Sequence, residues 1–143
     1  MTLHLIKLCA GAESVDDLVA RIDYRRRVNE AAGQGRVHDH VTRMHPRREK
    51  ELLDGGSIYW VIKGVVLARQ NILGFERRTG KDEIERTAII LDPAYILTEP
   101  QPRRAFQGWR YLTGEDAPKD LKQRGRKSPS PELGVELAEL GLL

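Results

Sequence analysis

Residues 51–64 read Glu51-Leu-Leu-Asp-Gly-Gly-Ser-Ile-Tyr-Trp60-Val-Ile-Lys63-Gly64 and contain the clearest structural signal in the chain. The glycine pair is typical of a helix end, so a short helix with Pro46 in its first turn is predicted before it. The following residues alternate with period two, which predicts a strand over residues 57–63. One strand face is then expected to be core and the other to reach a cleft. The two faces carry Ile58, Trp60 and Ile62, and Tyr59, Val61 and Lys63, respectively.

The rest of the chain adds one long helix and several short strands. Ser14 predicts the start of the helix, which should end before Gly33. A charged stretch over residues 76–86 is typical of a solvated hairpin tip. We therefore predict an α+β domain, with a small curved antiparallel sheet or β-barrel and two or three covering helices. The further strands are expected at residues 3–8, 37–44, 65–75, 87–91 and 95–98.

Composition indicates one globular domain. The chain has 143 residues, of which 40% are hydrophobic and 31% charged. No apolar run is long enough to cross a bilayer, and no secretion signal is visible, so no membrane partner is expected. The single cysteine, Cys9, fits a reducing cytoplasm and a small buried hydrophobe. Residues 1–114 are predicted to form the domain, and residues 115–143 a basic, partly flexible extension with a short amphipathic helix.

A second aromatic block reads Arg103-Arg-Ala-Phe-Gln-Gly-Trp109-Arg-Tyr111. Because proline and glycine flank it, we predict a loop in which Trp109 partly plugs the core and Arg104, Gln107 or Arg110 lie at the rim. We expect this loop to close over the strand that carries Tyr59 and Lys63, with any site between them.

The candidate ligand-binding residues combine guanidinium groups, which hold anions, with aromatic rings, which stack on bases. Those at the start of the short helix also meet its N-terminal dipole, although Arg47 and Glu51 are spaced as a solvated i,i+4 pair. The full set is Arg43, Arg47, Arg48, Tyr59, Lys63, Arg69, Arg104, Gln107, Trp109 and Arg110.

No reaction signature is present. His38 and His40 share a predicted strand face and His45 follows, but a third ligand at a telling spacing is missing, so no metal is expected. Ser57 does not lie in the Gly-x-Ser-x-Gly elbow of hydrolases. Neither a P-loop nor a dinucleotide fingerprint occurs, so no cofactor is expected.

Three blocks, Leu3-His-Leu-Ile-Lys-Leu-Cys9, residues 51–64 and residues 98–112, look like a bacterial domain-of-unknown-function family of small cytosolic proteins. That resemblance covers nearly the whole chain and implies no activity. The helix that ends in Leu-Leu-Asp-Gly-Gly and leads into a strand is also similar to the PUA, ASCH and EVE group of β-barrels. That likeness implies RNA, modified bases or nucleotides as ligands. The ASCH pattern Gly-x-Lys-x-x-Glu-x-Arg is not present, so no ligand residues are transferred.

We therefore expect a protein that binds RNA, a nucleotide or a modified base in a cleft beside the sheet. One alternative is a small enzyme for a phosphate-bearing substrate, such as a nuclease, with Lys63 or a histidine as acid/base. The other is a non-catalytic interaction module that uses its C-terminal amphipathic helix.

Overall fold

The structure of the protein is a computed structural model that describes residues 2–121. Within that range two helices accompany six strands. The strands are β1 Leu3–Leu8, β2 His38–Thr42, β3 Ser57–Ile62, β4 Val65–Thr79, β5 Glu85–Pro102 and β6 Trp109–Thr113, and the helices are α1 Val15–Ala31 and α2 Glu49–Leu53.

All six strands form one open sheet in the order β2-β5-β4-β3-β1-β6. Every neighbouring pair is antiparallel except β1 and β3, which are parallel. The predicted α+β class with a small, largely antiparallel sheet is confirmed. Of the two predicted forms, a curved sheet or a β-barrel, the structure has the open sheet. Since β1 lies between β3 and β6, the three blocks that carry the family resemblance are adjacent in space.

The sheet buries side chains on both faces. The helix-covered face packs against α1 and α2, and Trp60 is 1% exposed in that core, as its alternation predicts. The other face, here called the open face, carries a smaller cluster. Tyr59 belongs to this cluster and is 5% exposed, so its ring does not project freely into a cleft. The cluster consists of Ile6, Tyr59, Val61, Val66 and Leu112.

The predicted end of β3 is wrong by one residue. Lys63 and Gly64 form the turn to β4, with φ of 51° and 80°. Positive φ at both central positions suits the right-handed twist of a two-residue hairpin. Lys63 therefore lies at a hairpin tip and not on the face of Tyr59. The irregularity in this pair of strands falls between Trp60 and Val61.

Strands β4 and β5 are longer than predicted. β4 runs on to Thr79 through the charged stretch, because oppositely charged side chains pair across the hairpin, as in Arg77–Glu85 at 2.7 Å. β5 is one strand of 18 residues and not two short ones. Pro93 does not end β5. The pairing of β4 with β5 shifts register on either side of Ile72, whose partner Leu91 lies two residues before Pro93, so the proline falls at an irregularity of the sheet.

Helix α1 begins and ends where predicted. Ser14 caps it by accepting a hydrogen bond from the backbone N–H of Asp17, and the helix stops before Gly33. Arg25 donates to the Asp39 carboxylate at 2.9 Å, which ties α1 to β2. Helix α2, in contrast, begins at Glu49, three residues beyond the predicted Pro46. Neither helix is long and apolar enough to cross a membrane.

After β6 the chain continues to contact the sheet as far as Leu121. The backbone N–H of Leu121 donates to the Leu97 carbonyl at 2.9 Å, and Thr98 forms a bridge with Asp120. The predicted C-terminal amphipathic helix lies outside the described residues.

Candidate functional site

A cleft of about 510 Å³ opens at the edge of the sheet, on the open face, and is here called the arginine cleft. Ile6 and Leu112, both buried, contribute its apolar lining. Around them stand three guanidinium groups and one carboxylate. The full lining is Ile6, Pro102, Arg103, Arg104, Ala105, Phe106, Arg110, Tyr111, Leu112 and Asp116.

The alternation of β6 directs Arg110 into this cleft. Trp109 turns to the helix-covered core, where its indole N–H donates to the Met44 carbonyl at 2.9 Å. Arg110 pairs with Ile6 of β1 and therefore lies on the open face. Its guanidinium carbon lies 5.2 Å from the centroid of the Phe106 ring, within cation–π distance.

The loop that carries the other two arginines is held at both ends. The backbone N–H of Arg103 donates to the Gly64 carbonyl at 2.7 Å, and Phe106 packs on the buried cluster of the open face. The Arg103 side chain donates to Gln101 Oε1 at 2.9 Å. Arg104 and Arg110, in contrast, pair with no carboxylate among residues 2–121.

The predicted trio of Tyr59, Lys63 and Trp109 does not line one cavity. Trp109 lies in an edge strand and not in a loop, and it is 8% exposed on the face opposite Tyr59. Lys63, at its hairpin tip, lies 3.7 Å from a Glu13 carboxylate oxygen. Gln107 is exposed beside the arginine cleft without lining it. The part of the prediction that agrees with the structure is that Trp109 plugs the core and leaves Arg104 and Arg110 outside.

The arginines near α2 do not line the cleft, but two of them contact Tyr111, which does. The backbone N–H groups of Arg47 and Arg48 donate to Tyr111 Oη at 3.0 and 3.2 Å, so these donors already have a partner. The Arg48 guanidinium carbon lies 5.5 Å from the Tyr111 ring centroid, and its side chain also pairs with Glu51. The pair expected between Arg47 and Glu51 is thus formed by Arg48. Arg43 is exposed.

Tyr59 and Arg69 line a second, shallower pocket of about 350 Å³ on the open face. Arg69 donates to both carboxylate oxygens of Asp120, at 2.8 and 2.9 Å, so its charge is largely neutralised. Burial, with the nearby Arg69 guanidinium, lowers the pKa of His4, which also lines the pocket. His4 Nδ1 accepts the Ser57 backbone N–H at 2.9 Å, so its remaining proton resides on Nε2.

His38 and His40 share the helix-covered face, as predicted, but as parts of the core. Gln70 Oε1 accepts the Trp60 indole N–H at 2.9 Å and lies 3.2 Å from His38 Nδ1. Because Oε1 is an acceptor, His38 is the donor in this contact. His40 contacts the Trp60 ring edge to face, with centroids 5.1 Å apart. No group of three His, Cys, Asp or Glu among residues 2–121 is arranged to hold a metal.

Sequence reasoning missed Lys7. It lies on β1 between the two tryptophans, paired with Trp60 on one side and Trp109 on the other. Its position was visible in the sequence, because Lys7 alternates with Leu3 and Leu5 and so had to share their core face.

The comparisons with known proteins give a family and nothing more specific. No curated protein and no solved structure matches the chain. One family model, described as a protein of unknown function, DUF1489, matches residues 5–143. Because this match covers nearly the whole chain, the protein belongs to the DUF1489 family.

Proposed function

We propose that the protein binds single-stranded RNA or a nucleotide in the arginine cleft. The observation that carries this proposal is the pair Arg104 and Arg110, neither of which has a carboxylate partner among residues 2–121, beside a cleft of about 510 Å³. Unpaired guanidinium groups suit phosphate oxygens, which they contact through two parallel hydrogen bonds.

The aromatic part of the cleft favours a nucleotide over a simple anion. The Arg110 guanidinium and the Phe106 ring lie together at 5.2 Å, and both offer flat surfaces on which a base can stack. Ile6 and Leu112 line the cleft with apolar side chains, which suit the flat face of a base better than a small anion. The resemblance to the PUA, ASCH and EVE group, which stays a prediction, points to the same ligand class.

The enzymatic alternative has less support. Lys63 lies at a hairpin tip, Tyr59 on the open face, and His38 and His40 on the helix-covered face. These groups do not converge on one pocket, as acid/base catalysis with Lys63 or a histidine requires.

Removal of both free cations should weaken RNA binding strongly. Arg104→Ala with Arg110→Ala is expected to lower the affinity for a fluorescent single-stranded RNA by roughly 30- to 150-fold, since each charge-assisted contact contributes about 1–1.5 kcal/mol. The slope of log affinity against log salt should become shallower by about 1.4, because two phosphate contacts are lost. Fluorescence anisotropy between 50 and 200 mM salt measures both quantities.

Arg36→Ala is the matched control. Arg36 is also exposed, but it precedes β2, at the sheet edge opposite β6. This variant should keep the wild-type affinity and slope. The proposal is wrong if wild-type protein does not bind RNA at 50 mM salt, or if the Arg104/Arg110 variant binds like the Arg36 variant.

Replacement of the Phe106 ring should weaken the contacts with the base but not those with the phosphate. Phe106→Leu keeps an apolar side chain on the open-face cluster but removes the stacking surface. We expect about 10-fold weaker RNA binding with an unchanged salt slope, because stacking on one ring contributes about 1–3 kcal/mol. A changed slope would show that the ring acts by positioning the arginines.

A further inference from the structure

The second pocket on the open face, of about 350 Å³ and here called the His4 pocket, is built by three neighbouring strands. Tyr59 of β3 pairs with Ile6 of β1 on one side and with Arg69 of β4 on the other. His4 lies two residues before Ile6 on β1 and therefore shares its face. The rings of His4 and Tyr59 contact each other edge to face, with centroids 5.0 Å apart. Contacts and a common cavity thus join these side chains in one cluster.

His4 and Tyr59 are buried, yet each has a polar atom that no described residue binds. The two residues are 8% and 5% exposed. His4 Nδ1 accepts the Ser57 backbone N–H, which leaves Nε2, and the Tyr59 hydroxyl has no hydrogen bond among residues 2–121. Both atoms keep some accessible surface, because in that part of the chain only His40 Nε2 is both fully buried and without a partner. Since His4 and Tyr59 line the pocket, a ligand in it can reach these atoms.

Both atoms are hydrogen-bond donors at neutral pH. Because Nδ1 is the acceptor, the neutral His4 ring carries its proton on Nε2. Burial lowers the pKa of His4 and raises the pKa of Tyr59, so at pH 7.5 the imidazole is neutral and the phenol keeps its proton. The pocket therefore presents two neutral donors.

The described side chains that line the pocket also carry one uncompensated positive charge. Arg69 donates to both oxygens of Asp120, at 2.8 and 2.9 Å, so these two charges cancel. Lys119 forms no ion pair with a described residue, and its carbonyl accepts the Glu99 backbone N–H at 2.8 Å, which holds this segment against β5. One ammonium group and two neutral donors suit an anion. The Asp120 carboxylate in the same pocket disfavours a ligand with more than one negative charge.

We propose that the His4 pocket binds a small carboxylate. One carboxylate oxygen accepts from His4 Nε2–H and the other from the Tyr59 hydroxyl, while Lys119 balances the charge. A carboxylate matches this set because it has two oxygens for two donors and a single charge. The proposal does not depend on RNA binding, because the His4 pocket and the arginine cleft have no lining residue in common.

Imidazole ¹H–¹⁵N correlation spectra of the full chain at pH 7.5 and constant ionic strength test the site. Titration with acetate should shift the His4 Nε2–H signal with saturation, and the signals of His38, in the core of the opposite face, should stay unchanged. Acetamide has the same shape without the charge and should bind at least about 10-fold more weakly. The absence of a saturable His4 shift up to about 100 mM acetate overturns the proposal. Tighter binding of inorganic phosphate than of acetate overturns the assignment to a carboxylate.

A tyrosine variant tests the second donor. Tyr59→Phe removes a hydroxyl without a partner and keeps the ring against His4, so this variant should fold like the wild type and bind acetate roughly 10-fold more weakly. Tyr24→Phe is the matched control, because Tyr24 is exposed on α1 and should not affect binding. Lys119→Gln should also weaken binding several-fold. Equal acetate affinity of the Tyr59→Phe and Tyr24→Phe variants would show that the Tyr59 hydroxyl is not part of the site.

Discussion

Acidification from pH 6.5 to 4.5 should lower the free energy of unfolding by roughly 5 kcal/mol, through two histidines in the core. Burial lowers the pKa of His38 to about 4, against the hydrogen bond with Gln70 and the charge of Asp39. Burial, with the neighbouring Lys7 ammonium, lowers the pKa of His40 to about 3. In the folded chain His40 is therefore neutral throughout this pH range, and His38 is mostly neutral down to its lower end.

The direction of the effect follows from proton binding. In the unfolded chain each histidine takes up a proton near pH 6.5, whereas in the folded chain it does so only near pH 4 or 3. Between these values the unfolded state binds more protons, so stability is complete above pH 6.5 and falls as the pH falls. Each histidine contributes about 1.4 kcal/mol per pH unit in this window. Most carboxyl groups titrate below pH 4.5, so the window isolates the histidines.

Two substitutions separate the contributions. His38→Asn keeps an N–H donor for Gln70 Oε1, and His40→Phe keeps the ring contact with Trp60, but neither new side chain titrates. Urea unfolding at pH 6.5, 5.5 and 4.5 should show each single variant losing about half of the wild-type pH dependence. The double variant should lose most of the pH dependence, and the part that remains is assigned to His4, whose pKa is also lowered by burial.

Local sequence patterns predicted those parts of the fold that depend on local physics. The alternation in β3 identified Trp60 as core because a buried strand face needs apolar residues at every second position. Ser14 and the glycines after α1 marked the ends of that helix. The edge strand β6 was missed, because its five residues become a strand only through pairing with β1, about a hundred residues earlier.

The same distinction applies to the candidate site. The sequence shows which residues are arginines but not which of them already have a partner. Asp120, which neutralises Arg69, lies 51 residues away along the chain, and Tyr111, which occupies the N–H groups before α2, lies 63 and 64 residues away. Only the folded structure shows that these groups have partners, whereas Arg104 and Arg110 have no carboxylate partner among residues 2–121.

Gln70→Leu should lower the free energy of unfolding by about 3 kcal/mol. Gln70 is fully buried at the centre of a polar network inside the core. Its Oε1 accepts from the Trp60 indole N–H and from His38 Nδ1, and its Nε2 donates to the Asp92 carbonyl at 2.8 Å. Leucine leaves all three groups without this partner.

The gain from an apolar side chain offsets only part of this loss. Each buried polar group left without a partner costs about 1–3 kcal/mol, whereas burial of the extra apolar surface of leucine contributes about 1–2 kcal/mol. Gln34→Leu is the matched control, because Gln34 is exposed in the loop after α1. That variant should stay within about 0.5 kcal/mol of the wild type.

A double-mutant cycle with His38 distinguishes the network from a general packing defect. If Gln70 and His38 stabilise the core through their shared hydrogen bond, the effects of Gln70→Leu and His38→Leu should not add, with a coupling of about 1–2 kcal/mol. The reason is that the second substitution removes the donor which the first one left unpaired. Urea unfolding at pH 7.5, followed by tryptophan fluorescence, measures all four corners. If the losses are additive, the destabilisation by Gln70→Leu comes from the lost contacts with the Trp60 indole and the Asp92 carbonyl alone. A loss below about 1 kcal/mol for Gln70→Leu itself would contradict the claim that this hydrogen-bond network stabilises the core.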